Sequence, residues 1–327
     1  VRTLIVFIIF VMFLGQLTPR VDVFKNIYQL DLITNLQVQL ALFSVLLSIA
    51  LGMWNRSLML TLLVINGLVI SANFSGYVNF DFLSEQKEQI KTRSDVRKFS
   101  IVQYTFDTEI SQSLPPIYDL LTQLDKDIIV LFNVNDLHKS YLKDLSKGKF
   151  SYGLRQKEGL ASNIAIITKF AIQSKRRNTF LDERGDIIEL KLFVKDQTVK
   201  LTVMHPPEPA SKLHWQRRNL MLNTLETMEN TNNTVSPYSL IISELYTSVW
   251  SRHFPMLDNY RSCAASLGVY GNWYFNNTLK LLGNFGAINT SHCFYSYRLK
   301  LSNLESNSIL GGLHNMVIYE LALQNNT

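Results

Sequence analysis

Apolar residues run almost unbroken through three stretches near the N-terminus, Thr3 to Leu17, roughly Val38 to Trp54, and Leu58 to Phe74, and beyond them they recur only in short blocks. Runs of this kind leave no polar face for water and predict three membrane helices. At about 1.5 Å per residue the second and third each reach roughly 25 Å, enough for a thin bilayer or for polar ends that snorkel. Only Asn55, Arg56 and Ser57 separate these two runs. A tight helical hairpin is therefore expected, with Trp54 and Arg56 at the interface where an aromatic and a cation are favoured. Arg2 followed by a short apolar run also describes a signal peptide, but Gly15-Gln-Leu-Thr-Pro19 is a poor cleavage site, which favours retention as a helix. Arg2 and Arg56 fall on one side of such an arrangement and Arg20 and Lys25 on the other, so the short loops leave the side of the large domain open.

Residues 80–98 are charged and read as a linker, after which the pattern alternates between strands and helices. Phe99 to Tyr104, Asp127 to Val134, Asn163 to Thr168, Ile187 to Val194, Val199 to Met204, Ser239 to Ser243, Cys293 to Leu299 and Met316 to Leu323 are expected strands. Ile110 to Leu124 and Trp215 to Met228 have helical spacing, and Phe254 to Leu267 reads as partly helical. Lys195-Asp196-Gln197 reads as the turn of a hairpin, and Asn230 to Asn233 as a loop. Hairpins mixed with strand–helix–strand units predict an α/β domain over 99–327 with two packed, largely antiparallel sheets flanked by helices, preceded by a transmembrane region over 1–79.

Charge is pushed almost wholly into the C-terminal part, where residues 80–327 carry 28 basic and 24 acidic side chains. That excess is too small for a nucleic-acid footprint, so no specific nucleic-acid binding is expected, and Lys175-Arg176-Arg177 reads as a solvated turn. The spacing of Cys263 and Cys293 matches no metal motif. Two buried free thiols are expected unless the domain lies in an oxidising compartment, where they could pair. Nucleotide-binding glycine loops, a His-Glu-x-x-His zinc motif and a Gly-x-Ser-x-Gly nucleophile elbow are all absent from the sequence.

Seven segments carry a further signal: Ile101-Val-Gln-Tyr-Thr105, Asp127-Ile-Ile-Val-Leu-Phe-Asn-Val134, Asn163-Ile-Ala-Ile-Ile-Thr-Lys169, Val203-Met-His-Pro-Pro-Glu-Pro209, Leu240-Ile-Ile-Ser-Glu-Leu-Tyr246, Thr290-Ser-His292 and Gly311-Gly-Leu-His314. In order and spacing they resemble the strand-end motifs of the endonuclease/exonuclease/phosphatase superfamily, and the preceding helices make the chain similar to its membrane-anchored bacterial branch. The resemblance implies a four-layer, DNase I-like sandwich in the bacterial inner membrane, and it also implies which residues would carry chemistry. Asn133 stands where the family has its main metal-binding Glu, Glu244 where an Asp activates water, and Tyr246 where an Asn contacts the transition state. Thr105 replaces the first-strand Asn. Ser291 and Leu313 replace two further acids, the second of which orients a catalytic imidazole. His205 and His314 are retained, as is an arginine at 217 or 218.

Hydrolysis of a phosphoester requires a hard cation held by carboxylates and an activated water. An amide at 133 brings no negative charge, and the extra methylene of Glu244 displaces its carboxylate by about 1 Å, enough to cost on the order of 10²-fold in a positioned reaction. The leading expectation is thus a pseudoenzyme, membrane-anchored, with no cofactor and with a cleft that holds a phosphorylated ligand or a membrane partner protein. The alternative is a phosphodiesterase or phosphatase using Mg²⁺ or Mn²⁺ with Asn133, Glu244, His205 and His314. A third reading makes the helical hairpin the working part.

Overall fold

A computed structural model describes residues 2–21, 24, 26–74, 97–107, 114–154, 163–179, 186–231, 236–264, 271–309 and 312–324. The N-terminal part holds α1 (Arg2–Leu17), α2 (Tyr28–Thr34), α3 (Gln37–Leu51) and α4 (Arg56–Phe74). Two stretches, Thr3–Arg20 and Arg56–Phe74, are long and apolar enough to cross a membrane. The middle run differs from expectation: α3 is short and qualifies only together with α2, from which it is bent by 72°. Residues 80–96 of the expected linker lie outside the described residues, and Arg97 and Lys98 already belong to the first strand.

The first sheet contains β1 (Arg97–Thr105), β2 (Ile128–Phe132), β3 (Phe150–Tyr152), β4 (Ile164–Thr168) and, from the end of the chain, two more strands. The second contains β5 (Ala171–Thr179), β6 (Asp186–Val194), β7 (Gln197–His205), β8 (Ser239–Glu244) and β9 (Tyr260–Ser262). A short pair, β10 (Trp273–Tyr274) and β11 (Ala287–Ile288), precedes β12 (Ser291–Ser296), which joins the second sheet. The strands β13 (Leu299–Ser308) and β14 (Asn315–Leu323) complete the first. The orders are β13-β14-β1-β2-β4-β3 and β5-β6-β7-β8-β12-β9, with parallel pairing only at β1/β2 and β7/β8. This is the two-sheet, largely antiparallel architecture the hydrophobic pattern predicts.

Central strands are buried on both faces, which is why Ile128-Ile-Val-Leu-Phe132 reads as a continuous apolar run. Their inward side chains form the core between the sheets, including Ile101, Val130, Leu201, Ile242 and Tyr319. The outer face of the first sheet is covered by α5 (Leu114–Leu124) and α6 (Lys139–Leu145). Residues 110–113 of the expected first helix lie outside the described residues. The outer face of the second sheet is covered by α7 (Lys212–Thr231), which buries Trp215, Arg218, Leu222 and Leu225 at helical spacing.

Four readings are corrected. Lys175-Arg176-Arg177 lies in β5, an edge strand whose exposed side tolerates charge, and not in a turn. Phe254 to Leu267 contributes the short strand β9 and turns in its described part; residues 265–270 lie outside it. Cys263 and Cys293 are joined in a disulfide with Cα atoms 5.3 Å apart, because β9 and β12 are neighbours. Asn230 and Thr231 form the end of α7 in place of opening a loop; residues 232–235 lie outside the described residues.

The membrane-length helices are not a separate body. Ala41 of α3 and Phe74 of α4 share a cluster with Met221, Ile241 and Trp250 of the domain. Asp31 of α2 accepts from Arg218 (2.6 Å), from the Trp215 indole (2.8 Å) and from Ser251 (2.7 Å), all buried. Asn35 accepts from the Ser248 backbone (2.7 Å), and Tyr28 donates to Pro209 O (2.7 Å). Within the helices, Ser44, Asn66 and Ser48 form a buried chain of hydrogen bonds linking α3 to α4. Removing one partner of a buried ion pair strands the other, at a cost of about 3–5 kcal/mol. Asp31→Ala is therefore expected to lower the unfolding temperature of the whole protein markedly in a thermal melt, whereas an exposed control, Lys139→Ala, should leave it nearly unchanged.

Candidate functional site

The carboxyl ends of β1, β7 and β8, the residue after β2, the start of β12 and the residue before β14 meet at one edge of the sandwich. Glu244 ends β8 and is wholly buried. Its Oε2 accepts from Thr105 Oγ1 (3.0 Å) and from Ser291 Oγ (2.6 Å), and Ser291 is itself fixed by Asn272 Nδ2 (2.6 Å). Oε1 makes no hydrogen bond. Burial raises the Glu244 pKa above the usual carboxylate range, against the hydroxyl donors that lower it.

His314 lies on one side of this carboxyl, with Nδ1 4.0 Å from Glu244 Oε2 and Nε2 4.0 Å from Asp107 Oδ1. Neither separation is a hydrogen bond. Desolvation first, then the positive fields of His205 and Lys280, lower the His314 pKa to about 3, so the ring is neutral near pH 7. Asp107 is the residue the sequence reading missed. It follows β1 by two positions, and its Oδ2 accepts from the Leu313 backbone (2.9 Å). The available signal was an acid directly after an apolar strand end.

On the other side, the Tyr246 hydroxyl lies 3.1 Å from His205 Nε2 and accepts from Asn133 Nδ2 (3.3 Å). Asn133 Nδ2 also donates to Phe106 O (2.9 Å). That carbonyl accepts only, so it fixes the amide with its nitrogen, not its oxygen, turned to the phenol. Asn133 and Tyr246 both have left-handed backbones, with φ of 57° and 50°. Asn adopts this conformation readily, but a bulky Tyr does so at a cost, which marks a position held by its surroundings. Arg218 supplies part of that hold by donating to Tyr246 O (2.9 Å). Its guanidinium is thus spent on the backbone and on Asp31 and is not presented to the cleft. Burial lowers the His205 pKa to about 4.

The structure brings Thr105, Glu244, Ser291 and His314 into one group and Asn133, Tyr246 and His205 into another. A divalent ion would need several anionic oxygens. Here one oxygen of Glu244 is occupied by two hydroxyls, Asn133 offers its amide nitrogen, and the phenol of Tyr246 fills the space between Asn133 and His205. Among the described residues no three His, Cys, Asp or Glu side chains come together as a metal-holding group. These residues do not fit Mg²⁺ or Mn²⁺.

Above the strand ends lies a cavity of about 320 Å³, at the small end of the range for ligand sites. Its floor includes Tyr246 and Thr290, its roof is Leu32 of α2 with Leu36 just beyond that helix, and Trp273 and Phe275 form a side wall.

Solved structures resemble this chain in fold. A D. rerio TDP2 humanised by 14 mutations aligns at a TM-score of 0.55 with 11% identity, over 71% of this chain and 100% of that one. A truncated Caenorhabditis elegans TDP2 aligns at 0.53 with 15% identity, over 69% and 98%. An endonuclease/exonuclease/phosphatase from Beutenbergia cavernae DSM 12333 aligns at 0.50 with 11% identity, over 70% and 72%. No protein-family model and no curated protein matches the sequence. The fold of this chain is thus that of the endonuclease/exonuclease/phosphatase, DNase I-like superfamily.

The buried acid and imidazoles give the site a distinct pH signature. A carboxyl whose folded pKa is raised contributes a penalty that is absent below its unfolded value of 4.5 and grows as pH rises through the folded one. Glu244→Gln removes that penalty and is expected to raise the unfolding temperature more at pH 8 than at pH 5; the opposite order would mean that the carboxylate is ionised and stabilised by Thr105 and Ser291. The lowered histidines act with the other sign. They stay neutral in the fold while the unfolded chain takes up protons below 6.5, so stability is lost as pH falls from 6.5 towards about 4.

Proposed function

We propose that this chain is a membrane-anchored protein whose endonuclease/exonuclease/phosphatase-type cleft binds a ligand and no longer hydrolyses phosphoesters. The observation that carries this reading is the state of Glu244: buried, raised in pKa, capped by two hydroxyls, and flanked across His314 by Asp107, which is already committed to a backbone amide. Tyr246 adds to it by occupying the gap between Asn133 and His205. Anchoring is supported by the two helices long and apolar enough to span a bilayer. The Cys263–Cys293 disulfide favours placement of the domain on the oxidising side of that membrane.

A second reading, a hydrolase with an altered site, draws on Asp107. Its position beside His314 gives that imidazole an acid neighbour even though Leu313 has replaced the family's own. An assay separates the two. With Mn²⁺ and bis-p-nitrophenyl phosphate, wild type and His314→Ala are expected to give the same background rate, whereas a loss in the variant would establish the hydrolase. Millimolar Mn²⁺ should barely change the unfolding temperature, since a site with so little negative charge binds weakly. A shift of several degrees abolished by Glu244→Ala would overturn the impaired-site reading. Rebuilding the acids with Asn133→Glu, Tyr246→Asn and Leu313→Asp together is expected to create a Mn²⁺-dependent shift absent from the wild type. For the side of the membrane, a thiol-alkylating reagent applied to protein denatured without reductant should leave Cys263 and Cys293 unmodified. Modification of both would place the domain in a reducing compartment.

A further inference from the structure

The cavity over the strand ends has a consistent chemistry. Four of its lining residues are aromatic (Tyr28, Tyr246, Trp273 and Phe275), and its one charged lining residue among those described is Glu208, exposed at the rim. Beneath the floor lie two further acids, Glu244 and Asp107. Among the described residues no lysine or arginine lines it. Its uncharged polar lining residues besides the tyrosines are Asn35 and Thr290, both buried. Leu32 and Ile33 of α2, with Leu36 in the break before α3, supply an aliphatic wall.

Aromatic faces attract cations through the ring quadrupole, most strongly Trp, and clusters of such faces with a nearby carboxylate are the recognised environment for ammonium groups. Among the described lining residues a phosphate would meet the carboxylate of Glu208 and no lysine or arginine, which argues against the phosphorylated ligand that the family resemblance implies. The position of the cavity fixes the rest of the ligand. Its roof helix lies between the first membrane-length stretch, Thr3–Arg20, and α3, to which it is joined through the 72° bend, so a guest reaching it from lipid would carry an apolar chain. Trp273 connects the cavity to the site below, since it forms a backbone bridge with His314 and its ring lies 6.2 Å from that imidazole.

We propose that this cavity binds a cationic amphiphile, an ammonium head seated among Trp273, Phe275, Tyr28 and Tyr246 with its alkyl chain along α2. The proposal deepens the binding-module reading by naming the ligand class, and it rests on that reading for the idle carboxyl beneath the floor.

The test uses the full chain in lipid nanodiscs and a photoreactive alkyl-trimethylammonium probe carrying a diazirine in its chain. Cross-links are expected in residues 28–36 and 271–275, competed by dodecyltrimethylammonium and not by dodecyl phosphate or dodecanol. Trp273→Leu and Glu208→Gln should each weaken competition roughly tenfold. Ala210→Trp, a change at an exposed rim position, should block labelling by filling the space without disturbing the core. Equal competition by dodecyl phosphate or dodecanol, labelling confined to α1 and α4, or undiminished labelling of a folded Ala210→Trp protein would each overturn the proposal. Hydrolysis detected in the phosphoester assay would end the idle-site reading while leaving the labelling pattern untouched, so the two failures are distinguishable.

Discussion

The arrangement depends on one buried ion pair. Arg218, fully enclosed, places its guanidinium between Asp31 of α2 and the carbonyl of Tyr246 at the cleft. A charge in that position is tolerable only when every donor has an acceptor, and the acceptors come from opposite ends of the sequence. The pair therefore does two jobs that would otherwise be independent. It docks the membrane-side helices on the sandwich, and it braces a tyrosine in a backbone conformation that a residue of its size does not choose alone.

Given that brace, the cleft follows. Tyr246 spans from His205 to Asn133, and the amide of Asn133 is turned by Phe106 so that it meets the phenol with its nitrogen. Across from them Glu244 is wrapped by Thr105 and Ser291. Hydroxyls in place of acids do more than omit negative charge. They satisfy one oxygen of the remaining carboxyl and let it be buried, a state that a row of mutually repelling carboxylates would not permit without a cation. The replacements are mutually consistent, and they describe a small hydrogen-bonded polar cluster under an aromatic cavity.

Much of this was legible in the chain. Buried central strands such as Ile128 to Phe132 announce themselves as apolar runs, whereas Asn133, His205, Glu244 and His314 could be named before any coordinates only through the family resemblance of the segments that hold them. Edge elements were not legible in the same way. β5 carries Lys175, Arg176 and Arg177 because one side of it faces solvent, and β13 alternates too weakly to stand out. α2 has seven residues, too few for a period to register, and its decisive residue is a lone acid whose partner lies 187 positions away. Asp107 was passed over because it lies beyond the strand end, and the cysteine pair because adjacency of β9 and β12 is a property of topology, not of spacing.

The serine–asparagine–serine chain between α3 and α4 carries a consequence for how the two helices can move. Asn66 is enclosed by Ser44 and Ser48, its oxygen accepting from one hydroxyl and its nitrogen donating to the other as well as to Leu62 O of its own helix. Separating the helices would leave the buried oxygen without its donor, a cost of about 1–3 kcal/mol. Sliding α3 by one residue would turn both serines away from the amide, so this short polar rung fixes the register in which the pair packs.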